Sequence, residues 1–392
     1  MNKPIINKTL SCLLSAGLVV GAMPAQAEVD INGFANIVVG TTFNDDDALY
    51  GFDGDLDFKN ESLFALQISS DIGDSLKATA QVVARGADDF DAEFAWAYLT
   101  YEIDDHSNLK FGRLRIPFYK YSEFLEVGYA YHHLRPPQSV YGAIDFNNTD
   151  GVSYNYNTMF GDWDSSIQLL YSRYEGESSP GGVTSDSDLQ DLISVIWGMT
   201  KDEWSFRLGY TQCGECNIDF PFQDVLGFDF IGTVTAAAGQ GVADDFTFTG
   251  DRGSFTNFGW GYDEGTWFVE GEIAQLEVPD SFLADFGFWY VSGGYRADDF
   301  VYYATYEESE GDPKTGLVGG VPAVPLGGGL TLQNVAAAFI ESGRSETSRL
   351  SLGMVYNFQP GAAFKLEYHI NQNELDLNDV RALLSAAVVV VF

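Results

Sequence analysis

Arg113 and Arg115 stand two residues apart in the run Gly112-Arg-Leu-Arg-Ile-Pro117. On an extended strand that spacing puts both side chains on one face. Leu114, Ile116 and Phe118 would take the apolar face, leaving the guanidiniums in a wetted interior. Fixed charges beside a narrow passage select ions. The plainer role is an ion pair that closes a wall, and one pair can serve both purposes. Arg85 and Lys77 extend the basic side. The acids that would oppose it lie within 122–148: Glu123, Glu126 and Asp145, accompanied by Arg135, Tyr129, Tyr131, Tyr141 and the pair His132-His133. Pro136-Pro137 stiffens this segment, because proline fixes φ. Adjacent histidines without Asp or Cys at ligand spacing are a weak metal signature, so polar lining is their expected role and no metal site is expected.

Other motifs lead away from catalysis. Cys213-Gly-Glu-Cys216 reads as a small structural disulfide opening a long external loop, in preference to a redox centre. Gly73-Asp74-Ser75-Leu76 imitates the opening motif of a lipase and esterase family, but no downstream Asp-x-x-His accompanies it, and Gly73-Asp74 fits a tight hairpin. Asp53-x-Asp55-x-Asp57 imitates the start of a calcium hand, yet Phe58 replaces the required Gly and Phe64 the closing Glu. Walker A, dinucleotide-binding and HExxH motifs are missing. No enzyme activity and no cofactor are expected, beyond divalent cations held loosely at acidic outer loops.

Composition narrows the field further. The 392 residues carry 57 Asp+Glu against 20 Lys+Arg, a formal charge of −37. Nothing basic is available to neutralise phosphates, which argues against nucleic acid. Three Cys and 4 His cannot build a disulfide scaffold or zinc cluster. Hydrophobic residues reach 45 %, too many for a disordered acidic tail. Much of the acid falls in proposed outer loops, including Asp45, Asp46, Asp47, Asp53, Asp55, Asp57, Asp88, Asp89, Asp91, Asp244 and Asp245. That acid is either a solubilising surface or a negative vestibule that concentrates cations and bridges to lipopolysaccharide phosphates through divalent ions.

The elements that position these residues are strands. Lys3 and Lys8, the apolar run 10–22 and Ala25-Gln26-Ala27 read as a secretory leader over 1–27, leaving 28–392 as the mature domain. No later stretch is apolar enough for a spanning helix. The rest alternates with period two. Phe364, Leu366 and Tyr368 face away from Lys365, Glu367 and His369, and Ala78, Ala80 and Val82 from Thr79 and Gln81. Mid-strand charges on one face and terminal aromatics on the other suit a barrel with lipid outside and water inside. Short turns at 73–74, 104–108, 161–162, 201–203, 263–265, 297–299 and 359–361 alternate with longer segments near 44–60, 86–91, 122–148, 175–188, 213–250, 277–281, 310–346 and 372–378. This rhythm predicts an all-β, 16-stranded antiparallel transmembrane barrel with short periplasmic turns and long external loops.

The segment Trp96-Ala-Tyr-Leu, then Gly112-Arg-Leu-Arg-Ile-Pro117, Val127-Gly-Tyr-Ala-Tyr131 and Arg135-Pro-Pro137 resembles the Gram-negative porin superfamily, and the terminal Phe392 looks like its assembly signal. The resemblance implies an outer-membrane homotrimer admitting ions and small hydrophilic solutes. It also implies a loop three that folds inward after the fifth strand. The constriction expected on this basis comprises Arg113, Arg115, Arg85, Glu123, Glu126, Arg135 and Asp145. Loop three departs from the family in lacking a dense acidic run. The alternatives are a substrate-specific channel with a solute site at loop three, or a barrel-anchored adhesin or enzyme.

Overall fold

The computed structural model describes residues 29–44 and 48–392. The leader, its cleavage site and Asp45 to Asp47 lie outside the described residues. The barrel strands are β1 (Val29–Thr42), β2 (Leu63–Asp71), β3 (Leu76–Arg85), β4 (Ala92–Asp104), β5 (Ser107–Arg115), β6 (Asn148–Phe160), β7 (Trp163–Ser178) and β8 (Ser185–Lys201). They continue as β9 (Trp204–Asp219), β10 (Phe248–Asp263), β11 (Trp267–Glu277), β12 (Asp285–Ala297), β13 (Phe300–Asp312), β14 (Ser345–Gln359), β15 (Ala362–Asn373) and β16 (Val380–Val391). Each pairs antiparallel with its neighbours in sequence, and β16 closes on β1 through Phe34↔Val391 to Thr42↔Leu383. The expected sixteen strands, seven short turns and eight long loops are all present. Closure leaves no free edge, as a sheet within lipid requires.

Alternation sets the two faces. On β16, Leu384 and Val388 are 38 % and 40 % exposed, whereas Leu383, Ala387 and Val389 of the other face are buried. Ile37, Ile68, Leu169, Val195, Leu208, Ile273 and Leu352 form the exposed apolar band, and Trp204, Trp267, Tyr295, Tyr302 and Phe358 gather near the short-turn end. This is the apolar band and aromatic girdle of a membrane barrel. The chain end is tied in: Gly33 and Phe392 exchange backbone hydrogen bonds of 2.7 and 2.9 Å. The Phe392 ring covers Gly33 so closely that a Cβ there would lie 2.5 Å from it.

Two of the long loops are not the polar, irregular segments expected. Between β9 and β10 the chain forms α-helices Phe222–Leu226, Phe230–Ala238 and Gln240–Asp244, and before β14 a fourth over Leu332–Glu341. Asp229 and Thr331 cap two of them by accepting hydrogen bonds from Gly232 and Asn334 backbone amides. Phe222, Phe230, Phe246, Phe282, Leu332 and Ile340 bury one another in a core separate from the barrel lumen. The density of phenylalanine between 220 and 248 is the sequence signal for it.

Candidate functional site

Loop three, residues 116–147, packs inside the barrel. Its own aromatic residues drive this: Ile116, Phe118, Tyr119, Tyr121, Val140 and Tyr141 are buried together with Phe255 and Tyr290 of the wall. Tyr121 stacks on Tyr131 and on Tyr141 at 5.4 and 5.5 Å. Just before the chain leaves the wall, Gly112 on β5 has a φ of +133° that suits glycine alone. A Cβ there would meet the Ala97 carbonyl oxygen at 2.4 Å.

Charged and polar groups of the wall then fix the loop. Lys365 on β15 is buried and donates to the backbone carbonyls of Gly128 and Tyr131 at 2.6 and 2.7 Å, and to that of His133. Arg135 forks onto Glu61 through two bonds of 2.5 Å and reaches Glu367 at 3.4 Å. Glu272 on β11 accepts from the Lys120 amide (3.0 Å), Asn257 (2.9 Å), Tyr290 (3.1 Å) and Tyr141. Glu307 on β13 accepts from the Ser139 amide at 2.8 Å. Arg207 on β9 donates to the carbonyls of Pro117 and Phe118. A buried carboxylate or ammonium is tolerated only when its hydrogen-bonding sites are filled. Loop-three backbone groups and neighbouring side chains together fill them here.

Glu126 joins the expected residues most directly. Arg85 donates to one of its oxygens and Arg115 to the other at 2.6 Å, while Asn36 donates to its backbone oxygen at 3.0 Å. Burial pushes the Glu126 carboxyl up, but Arg115 and Arg85 together hold it below the ordinary value of 4.5. Arg115 also lies over the Trp96 ring at 5.3 Å. Desolvation and the neighbouring His133 hold His132 well below the usual histidine range, against the opposing pull of Glu270.

Arg113 is not beside Arg115 in the lumen. It lies opposite Ala97 and Asp150, in step with Phe111 and Val152, which are 40 % and 46 % exposed. Asn108 and Lys110 of the other face line the interior cavity. Arg113 pairs with Asp150 through two 3.1 Å bonds on the outward face. The expectation took Leu114, Ile116 and Phe118 as lipid-facing because they are apolar. They are buried instead: Leu114 stands on β5 opposite the buried Thr149, and the chain then leaves the wall at Arg115 and carries Ile116 and Phe118 into the loop-three core. Cys213 and Cys216 are disulfide-bonded, but within β9, which runs on to Asp219, and not in a loop.

Glu123 and Asp145 are also apart from Glu126. Glu123 lines a cavity of about 750 Å³ toward the short-turn end, together with Lys110, Asn155, Gln168 and Arg207. Asp145 borders a mostly apolar cavity of about 430 Å³ with Phe146, Phe255 and the disulfide. Arg85, Glu126, Arg135 and Glu61 line a third, of about 270 Å³, between loop three and the wall of β1, β2, β3 and β16. Sequence reasoning missed Glu61, Lys120 and Glu307. Glu61 and Lys120 sit in loops, where alternation gives no orientation. Glu307 is an inward position on β13 that period two alone could have supplied.

The comparisons with known proteins converge on this architecture. A family model described as Gram-negative porin matches residues 14–375. The chain belongs to the Gram-negative porin family. Among solved structures, this porin is similar to outer-membrane expressed OmpT of Vibrio cholerae, with a TM-score of 0.57 at 15 % identity over 95 % of this chain and 99 % of that one. It is also similar to the outer-membrane channel DcaP of Acinetobacter baumannii (TM-score 0.59, 12 % identity, 93 % and 97 % covered). An anion-selective porin from Comamonas acidovorans gives a TM-score of 0.57 at 12 % identity, covering 93 % and 100 %. At these identities the structures speak for the fold. Curated protein sequences give no match. As a member of this family the porin resides in the bacterial outer membrane and forms a channel for passive diffusion of solutes.

Proposed function

We propose that this porin is a general, weakly selective passage for ions and small hydrophilic solutes, with Glu61, Arg85, Arg115, Glu126 and Arg135 beside its narrowest part. The observation that carries the reading is the mutual pairing of these charges. Arg85 and Arg115 share Glu126, and Arg135 is divided between Glu61 and Glu367. Most of these charges are satisfied by one another, the buried Nε and Nη1 of Arg115 excepted, which leaves little to hold a particular solute, while the partly exposed Arg85 and Glu61 keep the passage wet. The larger cavity beyond adds the neutral groups of Asn108, Asn155, Ser166 and Gln168 to the charges of Lys110, Glu123 and Arg207, in no set pattern. Homotrimeric assembly accords with the family and with the trimer form in which one Vibrio cholerae OmpT structure is described. Contact with lipopolysaccharide through divalent ions accords with the acidic outer loops, where Asp53, Asp55, Asp88 and Asp91 stand.

The apolar cavity beside Asp145 favours the second reading, a channel with a binding site for one solute class. Liposome swelling with neutral sugars and amino acids of graded size separates the two. A general passage gives rates that fall smoothly with solute size. Saturation by one solute, with inhibition of the others, would establish the specific channel instead.

A further inference from the structure

At the foot of loop three two histidines meet a carboxylate of the wall. His133 Nε2 lies 3.6 Å and His132 Nε2 3.9 Å from Glu270 Oε1 on β11, and the three ligand atoms fall within 4.8 Å of one another. We propose that His132, His133 and Glu270 form a binding site for a divalent transition-metal ion of the zinc class. Nitrogen and oxygen ligands about 2.0–2.1 Å from a tetrahedral zinc stand roughly 3.4 Å apart, so small side-chain rotations bring these three into place.

The independent sign of a ligand is His133. It is 1 % exposed, and its Nε2 makes no hydrogen bond, only the long 3.6 Å approach to Glu270 Oε1. A buried polar atom without a full hydrogen bond is costly, and coordination would satisfy it. Its other nitrogen, Nδ1, lies 3.4 Å from Thr305 Oγ1, which in turn donates to Ser292 Oγ at 2.8 Å. An outer hydrogen bond of this kind orients a ligating imidazole. His132 Nε2 now sits 3.0 Å from Ser292 Oγ and would exchange that contact for the ion.

Glu270 has competing partners: Lys120 at Oε2 and the Tyr121 hydroxyl at Oε1. Each carboxylate oxygen has two acceptor sites, so Lys120 keeps Oε2 while the ion shares Oε1 with the Tyr121 hydroxyl. The nearby ammonium lowers affinity, so the site is one of moderate strength. His132 and Glu270 both line a cavity of about 410 Å³ that gives an entry path and room for water as a further ligand. Two imidazoles and one carboxylate suit zinc-class ions, whereas calcium and magnesium take oxygen sets. This distinguishes the site from the acidic outer loops.

The test is equilibrium dialysis of the full folded chain in detergent against zinc(II) with calcium(II) in excess, counting metal per chain. The expected result is one calcium-resistant zinc, weakened by more than roughly 100-fold in His133→Ala and in His132→Ala, since even outer-shell changes cost 10–100-fold. Circular dichroism of both variants checks that the barrel has folded. In the wild-type chain, cobalt(II) should give the visible absorption of a four-coordinate site, a readout that needs no variant. No stoichiometric zinc, zinc displaced by calcium, or zinc retained in both folded variants would overturn the proposal.

Discussion

Arg85 and Arg113 make the sharpest residue-scale contrast. Arg85 pairs with Glu126 inside the barrel, while Arg113 pairs with Asp150 outside it. Arg85→Ala therefore removes positive charge from beside the passage and shifts the reversal potential toward cations. Arg113→Ala leaves it unchanged. A shift of equal size in both variants would place Arg113 in the lumen after all. Glu126 adds a pH dependence of definite sign. Its folded carboxyl titrates below the ordinary 4.5, so its pairs contribute fully above that value and lose their contribution as pH falls through the depressed one. Thermal stability of the wild-type barrel should thus fall through that acid window, and Glu126→Gln should flatten that part of the profile. That Arg113 and Arg115 part company was not legible in the sequence. Spacing of two fixes a shared face only while a strand continues, and β5 ends at Arg115.

Loop three is the element on which the site depends, and Lys365 bonds three of its backbone carbonyls. Replacing it in Lys365→Met leaves the carbonyls of Gly128, Tyr131 and His133 without that donor, at about 1–3 kcal/mol for each group left unsatisfied. The melting temperature should drop, and single-channel current should become noisier as the loop loosens. A quiet channel of unchanged stability would mean that the aromatic packing alone holds the loop. The strands themselves were almost wholly legible, because one face of each meets lipid and the period-two signal is strong. Lys365 and Glu367 were placed inward by that signal, but their loop-three partners were not readable from it. The phenylalanine core beneath the helices of 220–247 and 332–341 was hidden for a related reason: outer loops carry no lipid-imposed period.

Over the whole molecule, acid outside and paired charge inside act at different ranges. Exposed charges farther apart than about 8 Å are largely screened at physiological salt. Charges between low-dielectric walls are screened less. Mild cation preference at low ionic strength should therefore fade as salt rises. A preference equally strong at high salt would locate the deciding acids beside loop three. The most direct test of the central claim, an open diffusion channel narrowed by a pinned loop three, is single-channel recording of the purified chain in a planar bilayer. The account predicts discrete openings whose current rises linearly with voltage and with salt concentration. A folded, inserted barrel that passes no current would contradict it.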